Sequence, residues 1–92
     1  MVKIKVFTHL DCDKCLQAVD MVDKMKRNFG NLDVEQVDVF KYPEEVARYR
    51  IFMAPSIVVE NHVFHGTPSK RELIDRIKVL KIKEATGSNN VR

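Results

Sequence analysis

Cysteine is nearly missing from this chain of 92 residues: there are two. That is too few for the disulfide lattice of small secreted domains. Glycine and proline number three each, and no internal repeat or low-complexity segment occurs. No apolar run approaches the roughly 20 residues of a membrane helix. The opening Met1-Val2-Lys3-Ile4-Lys5-Val6 alternates apolar with basic residues and has no secretory h-region. A cytoplasmic chain without a membrane partner is expected. An excess of one charge is lacking too, since sixteen Lys+Arg against thirteen Asp+Glu leave only +3. The one basic bias runs through Lys70, Arg71, Arg76, Lys78, Lys81 and Lys83, diluted by Glu72, Asp75 and Glu84. A nucleic-acid surface would pair such a stripe with aromatics or a reading helix. Only Phe64 lies near, so the stripe reads as a solvated helix face and no nucleic-acid partner is expected.

What is present suffices for one core. Hydrophobic residues make up 45% of the sequence, and the length suits a single domain. We place that domain over residues 1–84 and expect residues 85–92, which carry no apolar period, to fray.

The periodicities then follow in order. Val2, Ile4 and Val6 alternate with Lys3 and Lys5, a strand pattern ending at Phe7. Leu16, Val19, Val22, Met25 and Phe29 recur at helical spacing, and Gly30 suits the position that ends a helix. Leu32 to Phe40 predicts a second strand whose alternation slips at Gln36-Val37. Pro43 fits a first helical position with Glu44 and Glu45 in the first turn, and Val46 and Tyr49 give that short helix a buried side. Ile57-Val58-Val59 and His62-Val63-Phe64 flank Glu60-Asn61, a hairpin turn in which Asn61 tolerates positive φ. Ser69 and Glu72 have capping-box spacing, and Leu73, Ile77 and Leu80, with Ile74 beside them, form a last apolar stripe. The order β-α-β-α-β-β-α predicts a right-handed parallel crossover followed by an antiparallel hairpin. It is an α/β architecture: a four-stranded mixed sheet flanked by helices.

Chemistry concentrates at Cys12-Asp13-Lys14-Cys15. Cys12 falls where the first helix begins, and helix starts present free N–H donors and a partial positive charge. A thiolate there is stabilised, and the thiolate is the reactive species. Lowering a thiol pKa from about 8.5 to about 7 needs roughly 2 kcal/mol, near the most a helix terminus supplies. Lys14 adds attraction, whereas Asp11 and Asp13 oppose it. Residues three apart on a helix face one another, within the Cα separation of about 4.4–6.8 Å that a disulfide tolerates. Cys12 is the expected attacking thiolate and Cys15, one turn in, the resolving thiol.

Phe7-Thr8-His9-Leu10-Asp11-Cys12-Asp13-Lys14-Cys15 and the downstream Met53-Ala54-Pro55-Ser56 resemble the thioredoxin superfamily, over about residues 2–82. The resemblance is closest to small glutaredoxin-like and archaeal-type thioredoxins, in which the strand leading to the cysteines comes first. It implies the thioredoxin-like fold and a dithiol–disulfide oxidoreductase needing no cofactor. Pro55 is implied to be a cis-proline facing the cysteines, with Ala54 offering backbone hydrogen bonds to an extended substrate. The implied partners are disulfide-containing proteins, with electrons from a flavoprotein reductase or glutathione; a monomer is expected. The sequence also departs from the pattern. Asp11 replaces the family's tryptophan, and Asp13-Lys14 its Gly-Pro pair. Val6 stands where thioredoxins bury an acid, and Gln36 where they often have lysine. His9 is therefore a candidate, with Lys14, for tuning the redox pair, and His9 and Gly66-Thr67 only partly echo glutathione-binding segments.

Two other readings stay open here. A C-x-x-C loop can carry soft metal ions, but two thiolates leave a structural zinc site two ligands short. His62 and His65, three apart on a strand, point to opposite faces and do not complete it. No metal site is expected. A thioredoxin-fold interaction module without catalysis is the other alternative. Tyr42, Tyr49 and the five phenylalanines read as core or helix packing, and Met21 and Met25 as core filling.

Overall fold

Val2, Ile4 and Val6 of β1 (Val2–Thr8) are fully buried on one face of the sheet, and Phe7 is buried on the other. A strand apolar on both faces belongs in the middle of a sheet. The computed structural model describes residues 1–85 and places β1 there, as one of the two inner strands of a four-stranded sheet. α1 (Asp13–Phe29) returns the chain to β2 (Leu32–Asp38), which runs parallel to β1 from Val2↔Leu32 to Thr8↔Asp38. After α2 (Pro43–Arg48), β3 (Ser56–Val59) pairs antiparallel with β1, and β4 (His62–His65) closes the hairpin before α3 (Lys70–Ala85). The expected β-α-β-α-β-β-α order and mixed sheet are both present. The expected tail lies, beyond Ala85, outside the described residues.

Two apolar clusters hold the layers together. Ala18, Val22 and Met25 of α1 and Leu73 and Ile77 of α3 pack on Val2, Ile4, Val6, Ile57 and Val59. Phe7, Val37, Ile51 and Val58 form the other cluster, covered by Val46 and Tyr49 from the α2 side. Each fully buried aliphatic chain contributes about 1.5–3 kcal/mol. This division explains the slip in β2. Register with β1 is unbroken, but Leu32 serves the first cluster and Val37 the second.

The ends of the elements follow local chemistry. Gly30 closes α1 at φ 76°, its N–H donating to the Lys26 carbonyl at 2.8 Å. Ser69 N–H donates to Glu72 Oε1 and Glu72 N–H to Ser69 Oγ, both at 3.1 Å, completing the capping box. Two expectations need correction. The hairpin turn is Glu60-Asn61, but the positive φ, 55°, belongs to Glu60. Glu60 is held from both sides: its N–H donates to the Lys3 carbonyl at 2.8 Å, and Lys3 N–H donates to its Oε2 at 2.6 Å. Leu16 is 69% exposed and outside the stripe of α1, whose buried first turn is carried by Cys15 instead.

Candidate active site: the dithiol cleft

β1 ends at Thr8, and the chain must turn from the sheet into α1 within four residues. Asp11 makes the turn at φ 57°, a conformation that aspartate tolerates better than most side chains. Cys12 is the N-cap of α1, with extended backbone (φ −120°, ψ 100°). Its sulfur occupies the place usually taken by a serine or aspartate oxygen, accepting the Cys15 N–H at 3.1 Å. The two cysteines are joined as a disulfide, with Cα atoms 5.2 Å apart, inside the range such bonds tolerate. Cys15 is 3% exposed and Cys12 half-buried, so the pair has an open and a covered sulfur.

A cleft of about 630 Å³ opens over the pair, walled by His9, Gln36, Asp38 and Tyr42 among others. Val6, the register partner of Gln36, is fully buried, so its place in the sheet is hydrocarbon. The polar group that does approach is His9. One of its ring nitrogens and both sulfurs lie within 4.8 Å of one another. Its Nδ1 stands 2.6 Å from the Leu10 carbonyl. A carbonyl only accepts, so Nδ1 is the donor in this contact, and in the neutral ring the lone pair belongs to Nε2.

Ala54 and Pro55 reach the same end of the sheet from the other side of β1. Ser56, next in the chain, pairs with Phe7, and its hydroxyl donates to the Met53 carbonyl at 2.7 Å. The Ala54–Pro55 peptide is cis; Pro55 is buried and Ala54 half-buried. His9 and Ala54 line a second cleft together with Phe40, Phe52 and Met53, so His9 belongs to the walls of both. Lys14 is exposed and does not line the dithiol cleft.

The aromatic expectation fails at three positions. Phe40 is 80% exposed, Phe52 76% and Tyr42 48%, whereas Phe7 and Tyr49 pack inside as expected. Phe40 closes the strand expected from the sequence, but β2 stops at Asp38 and leaves it in the following turn. Tyr42 and Phe52 lie outside any strand or helix period, and for those two that displacement was the available signal. Met25 is buried and Met21 packs against the core, as expected. His62 and His65 stack on different partners, Phe64 at 4.6 Å and Phe52 at 4.4 Å, and do not converge.

On the α2 face, Lys5 Nζ bonds Glu45 Oε1 and stands 5.3 Å from the centre of the Tyr49 ring. The hydrogen bond to Glu45 raises the Lys5 pKa above its ordinary 10.5, although burial opposes it. The same bond holds the Glu45 carboxyl below its ordinary 4.5, against a smaller effect of desolvation. Side chains only 12% and 20% exposed place this pair at the margin of the core.

The chain matches a family model described as a thioredoxin domain over residues 2–78. It is 37% identical over 79 residues to a probable thioredoxin of Methanothermobacter thermautotrophicus, covering 84% of this chain and 93% of that one. A thioredoxin of Methanocaldococcus jannaschii is 33% identical over the same shares. Among solved structures, thioredoxin 1 of Thermosipho africanus superposes with a TM-score of 0.74 at 25% identity, over 89% of this chain and 98% of that one. The chain therefore belongs to the thioredoxin family, and with Cys12 and Cys15 at bonding distance it is a dithiol–disulfide oxidoreductase.

Proposed function

We propose that Cys12 is the nucleophile and Cys15 the resolving thiol in the reduction of protein or small-molecule disulfides. The observation that carries this assignment is the unequal exposure of the two sulfurs at the helix start, Cys12 half-open and Cys15 covered. In the dithiol state the Cys12 thiolate faces the free N–H groups of α1, which favour the anion. It attacks one sulfur of a substrate disulfide and forms a mixed disulfide, and the first substrate thiolate leaves. The Cys15 thiolate then attacks Cys12 Sγ, releasing the second substrate thiolate and closing the protein's disulfide. Two electrons pass to the substrate, and a flavoprotein reductase or glutathione returns two.

The Ala54–Pro55 edge receives the extended substrate beside the sulfurs. His9 tunes the pair in place of the acid that Val6 displaces, with Lys14 acting from a distance through charge. The chain works as a monomer in the cytoplasm. Insulin reduction followed with each electron donor in turn tests the scheme. Cys12→Ser should reduce turnover to background with either donor, and full activity in that variant would refute the assignment.

A further inference from the structure

One group of metal-ligating side chains converges among the described residues: His9, Cys12 and Cys15. We infer that the dithiol form of this chain is a zinc site, with both thiolates and the His9 imidazole as ligands, and that closing the disulfide expels the ion. The inference rests on the cysteines passing through the dithiol state, as the proposed reductase cycle requires.

The ligand set suits the ion. Two thiolates and an imidazole are too soft for magnesium or calcium and match zinc. Zinc bonds sulfur at about 2.3 Å and nitrogen at about 2.0–2.1 Å in a tetrahedron, which separates ligand atoms by roughly 3.5–3.8 Å. Opening the disulfide frees the sulfurs to part to that separation. The imidazole, already within 4.8 Å, has about 1 Å to close. The Leu10 carbonyl, 2.6 Å from Nδ1, takes that nitrogen's proton in a hydrogen bond, so in the neutral ring Nε2 is the nitrogen left to bind the ion. Metal-bound histidines carry such a second bond as a rule. The cleft leaves the fourth position to water, and Asp11 and Asp13 line it with negative charge.

Binding moves no electrons: two thiol protons leave to solvent as two Zn–S bonds form. A disulfide then takes two electrons from the bound thiolates. The Cys12–Cys15 bond forms, both Zn–S bonds break, and two substrate thiolates and Zn²⁺ are released. Because zinc binds the reduced state alone, it raises the apparent reduction potential by about 30 mV for each tenfold excess over its dissociation constant.

The test is titration of the full chain with Zn²⁺ under anaerobic conditions, reduced and oxidised, against a chromophoric competitor. Co²⁺ substitution reports the ligand set by its visible spectrum. One ion per reduced chain, none per oxidised chain, a tetrahedral cobalt spectrum and the rise in potential are expected. His9→Ala and His9→Gln should each weaken zinc at least about tenfold and alter the cobalt bands. Unchanged affinity in both variants, one ion per two chains, equal binding by the oxidised chain, or no binding would overturn the site. Insulin reduction by the zinc-free protein separates the two claims. Activity without zinc binding sinks only the metal site; zinc binding without activity sinks only the reductase reading.

Discussion

The backbone N–H of Cys15 points at the sulfur of Cys12, 3.1 Å away, so the covered cysteine donates to the open one before any proton or electron moves. This contact follows from the position of Cys12 as N-cap. It makes the two sulfurs unequal although their sequence spacing is symmetric, and the inequality has kinetic consequences.

Cys15→Ser should leave the first attack intact and remove the second. The variant should accumulate mixed disulfides with protein substrates, visible as reductant-sensitive adducts by mass spectrometry, while multi-turnover reduction falls to background. Equal trapping by Cys12→Ser and Cys15→Ser would contradict the assigned order of attack.

The Lys5–Glu45 pair gives the fold a pH signature. Glu45 is held below its ordinary pKa of 4.5, so its contribution is complete above that value and is lost as pH falls through the lowered one. Lys5 is raised above 10.5, so its contribution is complete below that value and is lost as pH rises through the raised one. Urea unfolding from about pH 7 to about pH 3 should show wild-type stability falling more steeply than that of Glu45→Gln, which has no carboxyl to protonate there. Superimposable slopes would show that the pair is not coupled to folding.

Gly30 closes α1 at φ 76°, ψ −122°, a region nearly confined to glycine. A Cβ there meets nothing within 4 Å, so the penalty for Gly30→Ala is conformational, about 1–3 kcal/mol. Thermal unfolding should register it. Asparagine should not rescue it, because asparagine tolerates the left-handed region near ψ of about +30 to +60°, far from this ψ.

Phe40 is 80% exposed beside the cleft that Ala54 lines. Phe40→Ala should change stability by no more than about 0.5 kcal/mol. It should slow reduction of protein disulfides while sparing a small aromatic disulfide. An equal loss on both substrates would assign the effect to the sulfurs rather than to docking.

The sequence carried the fold because its regular elements obey short-range rules. Alternation in β1, the proline start of α2 and the Ser69–Glu72 cap are written within a few residues of one another, and each appears where expected. Where a contact from afar decides, those rules fail. Glu60, not Asn61, takes the left-handed conformation because Lys3, distant in sequence, grips it. Leu16 fits the helical period, yet it lies outward beside the cleft while Cys15 goes inward. The site divides the same way. Cys12 and Cys15 were legible from spacing, and the cis Ala54–Pro55 peptide from resemblance. The convergence of His9 on both sulfurs was not, because it depends on the turn at Asp11 that no periodicity encodes.

β1 has partners along both edges, parallel to β2 and antiparallel to β3. Its amides should therefore be among the last in the molecule to exchange with deuterium, since opening them requires breaking two ladders. Backbone paired along both edges thus ends a few residues before Cys12, the proposed nucleophile, so the cysteine loop can open and close its bond while the strand that carries it stays shut.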